Sequence, residues 1–77
     1  MTMITIDCSG LRCPMPLLKA KLQYSTLPIG ESFCLVADDP AAGPDIERWA
    51  TRVGAGFRIL AQDPLKVEIS KAQGDAT

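Results

Sequence analysis

Residues 4–18 read I-T-I-D-C-S-G-L-R-C-P-M-P-L-L, and the hydrophobic period changes inside them. Ile4 and Ile6 alternate with polar neighbours, the two-residue repeat of a strand over residues 3–7. From Pro14 to Ser25 the repeat becomes helical: Leu18 and Leu22 stand four apart with Leu17 beside them on a broadened apolar face, and Lys19 and Lys21 fall on its flanks. The sequence L-P-I-G ends that helix. A strand, a short loop and a helix that opens on proline are the first half of a crossover unit.

The same reading extends to the rest of the chain. S-F-C-L-V-A, residues 32–37, is too short for a buried helix and apolar at both parities, as expected of a central strand that ends at D-D-P. Pro44 then suits the first turn of a second helix, Asp45 the positive end of its dipole, and Ile46, Trp49, Ala50 and Val53 form its apolar stripe before Gly54 and Gly56 close it. Residues 57–62 and 65–71 read as two strands around Asp63-Pro64; in the second, Leu65, Val67 and Ile69 alternate with Lys66, Glu68 and Ser70. The order βαβαββ predicts an α/β fold, specifically an α+β two-layer sandwich with two helices packed on one face of a four-stranded mixed sheet. If the first two strands are parallel, the loops that leave them share one edge, bringing Cys13 near Asp38 and Asp39.

Composition narrows the function. A chain of 77 residues, 47% apolar and 22% charged, is one globular domain over 1–77, with an ordered core over about 3–71 and a tail, 72–77, expected to fray. The formal charge of −1 supplies no broad basic field for nucleic acid or an anionic membrane. The apolar runs are too short to span a bilayer, and the start lacks the charged and apolar regions of a secretory signal. The expectation is a cytoplasmic monomer, with reduced thiols, that forms transient complexes.

Three cysteines cannot all pair within the chain, so each needs its own account. Cys8 shares the parity of Ile4 and Ile6 and reads as core, with a resolving thiol for Cys13 as the alternative. Cys34 lies in the most apolar strand and reads as core. Cys13 is placed at the N-cap of the first helix, with Pro14 at N1 and Pro16 at N3. Proline is tolerated there because the first-turn amides have no intrahelical partner, and the two rings stiffen the chain around the sulfur. A thiolate at this position meets the positive end of the helix dipole, with Met15 as the remaining donor among the N2 and N3 amides and Arg12 as a neighbouring cation. Cysteine titrates near about 8.5 in isolation, and such positions lower it. Asp38 and Asp39 would oppose that shift.

Several rival chemistries fit poorly. The prolines remove two amides that a phosphate cradle would use. Cys8, Cys13 and Cys34 lack C-x-x-C spacing, and the chain has no histidine, which argues against a metal site and against a catalytic triad. No bound cofactor is expected. What remains is chemistry that a thiolate performs alone, namely sulfur transfer or thiol–disulfide exchange.

G-L-R-C-P-M-P-L-L, followed by a strand ending in A-D-D-P-A and a helix opening on D-I, resembles the TusA, or SirA-like, family of sulfur carriers along residues 4–71. The resemblance implies a two-layer βαβαββ sandwich and a cysteine that carries sulfane sulfur as a persulfide. That role falls on Cys13, with Gly10, Leu11, Arg12, Pro14 and Pro16 as its supporting motif. Implied partners are a donor, a cysteine desulfurase or rhodanese-like protein, and a downstream acceptor thiol. The protein would act as a sulfur-relay protein rather than a stand-alone cofactor enzyme. Lys19, Lys21, Asp38 and Asp39 are candidates for partner contact, with a solvated helix face and ordinary turn chemistry as their plainer readings. The alternative function is a redox-sensitive binding module that uses Cys13 with Cys8.

Overall fold

Residues 4–12 and 14–71 are described by a computed structural model. The elements follow as β1 (Ile4–Cys8), α1 (Met15–Thr26), β2 (Ser32–Ala37), α2 (Ala42–Val53), β3 (Gly56–Ala61) and β4 (Leu65–Ser70). One mixed sheet has the order β1-β2-β4-β3, with β1 parallel to β2 and β4 antiparallel to both β2 and β3. The last strand is therefore inserted between β2 and β3, and α2 carries the chain across it.

Strand register explains the core. Ile6, Leu35, Val67 and Ile59 lie across from one another through the sheet, as do Ile4, Phe33, Ile69 and Phe57. This face carries the helices; Phe33, Leu35, Val67 and Ile69, on the two central strands, are fully buried. The opposite parity presents Thr5, Asp7, Lys66, Glu68 and Arg58, and there the Arg58 guanidinium donates to Glu68 at 2.7 Å. Cys34 is on this second face, paired across to Glu68 and Thr5, yet only 6% exposed. Its burial matches the sequence reading, although its side chain is outside the helix-covered core.

The stripe of α2 is as expected: Ile46, Trp49, Ala50 and Val53 are all buried, and Gly54 ends the helix in the left-handed region at φ 77°. The apolar face of α1 is a correction. Pro16, Ala20 and Tyr24 face the core and Leu17 is half-buried, whereas Leu18 is 48% and Leu22 72% exposed. A helix advances about 100° per residue. Positions 16, 20 and 24 therefore fall along one side, while 18 and 22 lie some 200° away from it. The small side chain of Ala20 lets the helix approach the sheet, and Tyr24 meets Trp49 edge-on with ring centroids 5.2 Å apart.

Lys71, just past β4, is 6% exposed and ties the far end of α1 to the sheet. Its Nζ donates to the Tyr24 carbonyl at 3.0 Å and lies 4.7 Å from the centre of the Tyr24 ring. Its backbone bridges to the turn before β2 through Gly30 and Glu31. A cation at the carboxyl end of a helix also meets the negative end of the dipole. The expected tail, 72–77, lies outside the described residues.

Candidate functional site

Parallel pairing of β1 with β2 sends both following loops to one edge, as anticipated, and a specific bond joins them. Asp38, the first residue after β2, accepts the Gly10 amide with both carboxylate oxygens at 3.1 Å. Gly10 sits at φ 81°, which glycine adopts without the Cβ penalty. Upstream, the Asp7 carboxylate accepts the Ser9 amide at 3.0 Å and the Cys8 carbonyl accepts the Leu11 amide at 3.0 Å. The Ser9 bonds hold the Asp7 carboxyl below its ordinary range. Leu11 packs against the core, so residues 10 and 11 are held by the Asp38 carboxylate and by an apolar anchor.

The start of α1 lies one residue later than the sequence predicts. The Pro14 carbonyl accepts the first helical bond, from Leu18 at 3.0 Å, which makes Pro14 the N-cap, Met15 N1 and Pro16 N2. The Met15 amide, expected to be available to the sulfur, instead donates to the Arg12 carbonyl at 2.8 Å. Pro16 has no amide, so the next N–H along the chain is that of Leu17. The Met15 amide closes a turn back to Arg12 before the helix begins, and Pro14, at φ −97° and ψ 14°, is outside helical geometry, so the helical run starts only at Met15. Cys13 is therefore not the N-cap of α1, as the sequence had suggested, and the expectation that its sulfur is held as a thiolate at the helix start lies outside the described residues.

Of the supporting motif, Gly10, Arg12 and Pro14 are exposed, Leu11 is half-buried and Pro16 is buried. Lys19 and Lys21 are exposed on α1, where Met15, Leu18 and Leu22 form an apolar strip alongside them. Asp38 is committed to the Gly10 amide. Asp39 holds the start of α2, its Oδ1 accepting from Ala41 at 3.1 Å and its carbonyl from Ala42 at 3.0 Å. Both aspartates thus have structural work that the D-D-P turn had foreshadowed.

Cys8 is fully buried and free. Burial is the main cause of an upward shift of its thiol, opposed by Lys19 and reinforced by Asp7. It stays protonated and packed at neutral pH, in agreement with its reading as core. Cys34 is likewise buried, and no disulfide involves either residue.

One feature was not foreseen. Beside the Asp38 turn, an open groove of about 650 Å³ runs between the start of α2 and the β3–β4 hairpin, with Glu47 and Asp63 on its sides and Ile59 and Leu65 among its apolar residues. Its lining comes from four separate segments, which no local sequence pattern links.

Among the described residues, no helix is long and apolar enough to cross a membrane. Comparison with known proteins agrees with the geometry. The family model described as Sulfurtransferase TusA matches residues 4–71. The chain is 39% identical over 51 residues to the putative sulfur carrier protein YrkF of Bacillus subtilis, an alignment spanning 66% of this chain and 28% of that protein. It is 35% identical over 49 residues to the sulfur carrier protein TusA of Allochromatium vinosum, spanning 64% of each. The crystal structure of a SirA-like protein from Desulfitobacterium hafniense superposes with a TM-score of 0.79 at 26% identity, covering 92% of this chain and all of that one. With a superposing fold and a family match along residues 4–71, the chain belongs to the TusA sulfurtransferase family.

Proposed function

We propose that this protein is a sulfur carrier that holds sulfane sulfur as a persulfide on Cys13 and relays it from a donor protein to an acceptor thiol. The observation that carries the reading is the tethered loop before Cys13: Asp38 fixes Gly10, Leu11 is anchored in the core, and the C-P-M-P segment continues directly into α1. Family membership supports it.

The chemistry needs one sulfur and no cofactor. The Cys13 thiolate attacks the terminal sulfur of a donor persulfide. A new S–S bond forms at Cys13 as the donor's S–S bond breaks, and the donor cysteine leaves as a thiolate. The reverse geometry passes the terminal sulfur to the acceptor, so sulfane sulfur changes hands with no external oxidant or reductant. Prolines at 14 and 16 limit the chain's freedom on the helix side, and the Asp38–Gly10 bond limits it on the strand side. The domain contributes this preorganised presentation and a surface that partners can recognise.

The alternative redox module, with Cys8 as resolving partner, is disfavoured because the Cys8 thiol is fully buried and raised in pKa by that burial. Incubation with a cysteine desulfurase and cysteine, followed by intact mass measurement, tests the proposal. The expected product is heavier by roughly 32 Da, one sulfur atom, and loses that mass on treatment with a thiol. Cys13→Ser abolishes the adduct, while Cys8→Ala and Cys34→Ala retain it. An adduct that survives Cys13→Ser overturns the assignment.

A further inference from the structure

We propose that the groove between α2 and the β3–β4 hairpin docks an extended, arginine- or lysine-bearing segment of a relay partner; identifying its owner as a relay partner rests on the sulfur-carrier reading, but the binding itself does not. Four carboxylates line the groove, those of Asp38, Asp39, Glu47 and Asp63, and no lysine or arginine does. Among the described residues, Glu47 and Asp63 have no cationic partner; the nearby Arg48 guanidinium is turned to Asp45 at 3.4 Å.

Between the carboxylates the surface is apolar. Pro40, Pro44 and Pro64 contribute rigid edges, Leu65 is half-buried, and Ile59 remains 47% exposed on an edge strand. Aliphatic stems with cationic ends match this alternation, since such side chains lay their methylenes on apolar surface and keep their charge at the rim. A small ligand fits less well: its sites are concave enough to bury most of the molecule, and this groove is open with solvent-exposed acids. Exposed charge pairs contribute little each, so the contact should be weak and salt-sensitive, as suits a partner that must leave after transfer.

The groove is coupled to the sulfur loop. Asp38 lines it and also holds Gly10, three residues before Cys13. A segment lying here therefore sits next to the tether of the reactive loop. Arg12, Lys19 and Lys21, of opposite charge, are exposed and none of them lines the groove. A partner seated in the groove is thus selected by charge to approach from the α2 side.

The test is an amide NMR titration of the Cys13→Ser protein, where no sulfur chemistry intervenes. The probe is a capped hexapeptide of alternating arginine and leucine, with a glutamate–leucine peptide as control. The expected result is movement of the amides of residues 37–39, 41–43, 47, 59–63 and 65 with the basic peptide alone. Glu47→Gln combined with Asp63→Asn should weaken binding roughly 3- to 10-fold. Asparagine is chosen because position 63 has φ 57°, which it tolerates. No binding, movement centred on α1, equal binding of the acidic peptide, or an unchanged affinity in the folded double variant would overturn the proposal. Persulfide loading of the wild-type protein, measured separately by mass, shows whether the sulfur-carrier reading stands on its own.

Discussion

Asp38→Ala isolates the bond that joins the two loops. A single amide is shared between two carboxylate oxygens, each at 3.1 Å, so the substitution removes one charge-assisted hydrogen bond rather than two. Such bonds contribute about 1.5–3 kcal/mol when well protected. Here both residues are exposed and water can take over the Gly10 amide, so the expected loss is about 1 kcal/mol. For 77 residues an unfolding entropy near 2.1 cal/mol/K per residue gives about 0.16 kcal/mol/K, and the melting temperature should fall by about 6 °C. Circular dichroism reads that shift, and hydrogen exchange at the Gly10 amide reads the local effect. Asp39→Ala is the matched control: it removes the acceptor for Ala41, lowers stability by a similar amount, and leaves Gly10 exchange unaltered. Asp38→Ala should also slow sulfur loading on Cys13, because the loop is no longer held. If it leaves both the melting temperature and Gly10 exchange unchanged, Asp38 does not organise the loop.

Three further outcomes follow from the packing. Ala20→Leu forces extra methylenes between α1 and the sheet, where Ala20 is fully buried, and should cost about 1–3 kcal/mol in denaturant unfolding. Leu22→Gln, at a position 72% exposed, should stay within about 0.5 kcal/mol of wild type in the same measurement. Trp49→Ala removes the ring that meets Tyr24 and should cost about 3–5 kcal/mol, a large share of the stability of so small a domain, read as a broadened or lost thermal transition. Raising the pH should weaken the fold through Cys8. Burial holds its folded pKa above the ordinary cysteine value, so at alkaline pH the unfolded thiol ionises first and stability falls; Cys8→Ala should lose that alkaline component in urea titrations at pH 8 and 10.

Which features were legible in the sequence depended on how the burial signal was written. The stripe of α2 and the alternation of β4 use large apolar residues at the period of their element, so both faces were correct. In α1 the buried side is Pro16, Ala20 and Tyr24, residues whose hydrophobicity is modest and whose fit depends on closeness to the sheet, while the two conspicuous leucines point outward. Hydrophobic pattern alone ranks those two sides in the wrong order. The proximity of Asp38 to the Cys13 loop was legible because it follows from parallel pairing, a topological fact. The commitment of the Met15 amide to Arg12 was not, because a proline is tolerated both at the first helical position and just ahead of it, and nothing in C-P-M-P chooses between the two. The groove escaped because its walls converge only through the order β1-β2-β4-β3.

That strand order also fixes when the domain can close during synthesis. β1, α1 and β2 emerge first and can pair locally, but the strand that belongs beside β2 is the last one made. Until residues 65–71 are available, β2 has an open edge, β3 has no hydrogen-bonding neighbour, and α2 has half of its floor missing. Lys71, whose side chain fastens to Tyr24, arrives at the end of that sequence. The core therefore cannot be completed from the amino-terminal half of the chain, because Val67 and Ile69 on β4 belong to it. An interruption before residue 65 would leave an exposed sheet edge rather than a smaller stable domain.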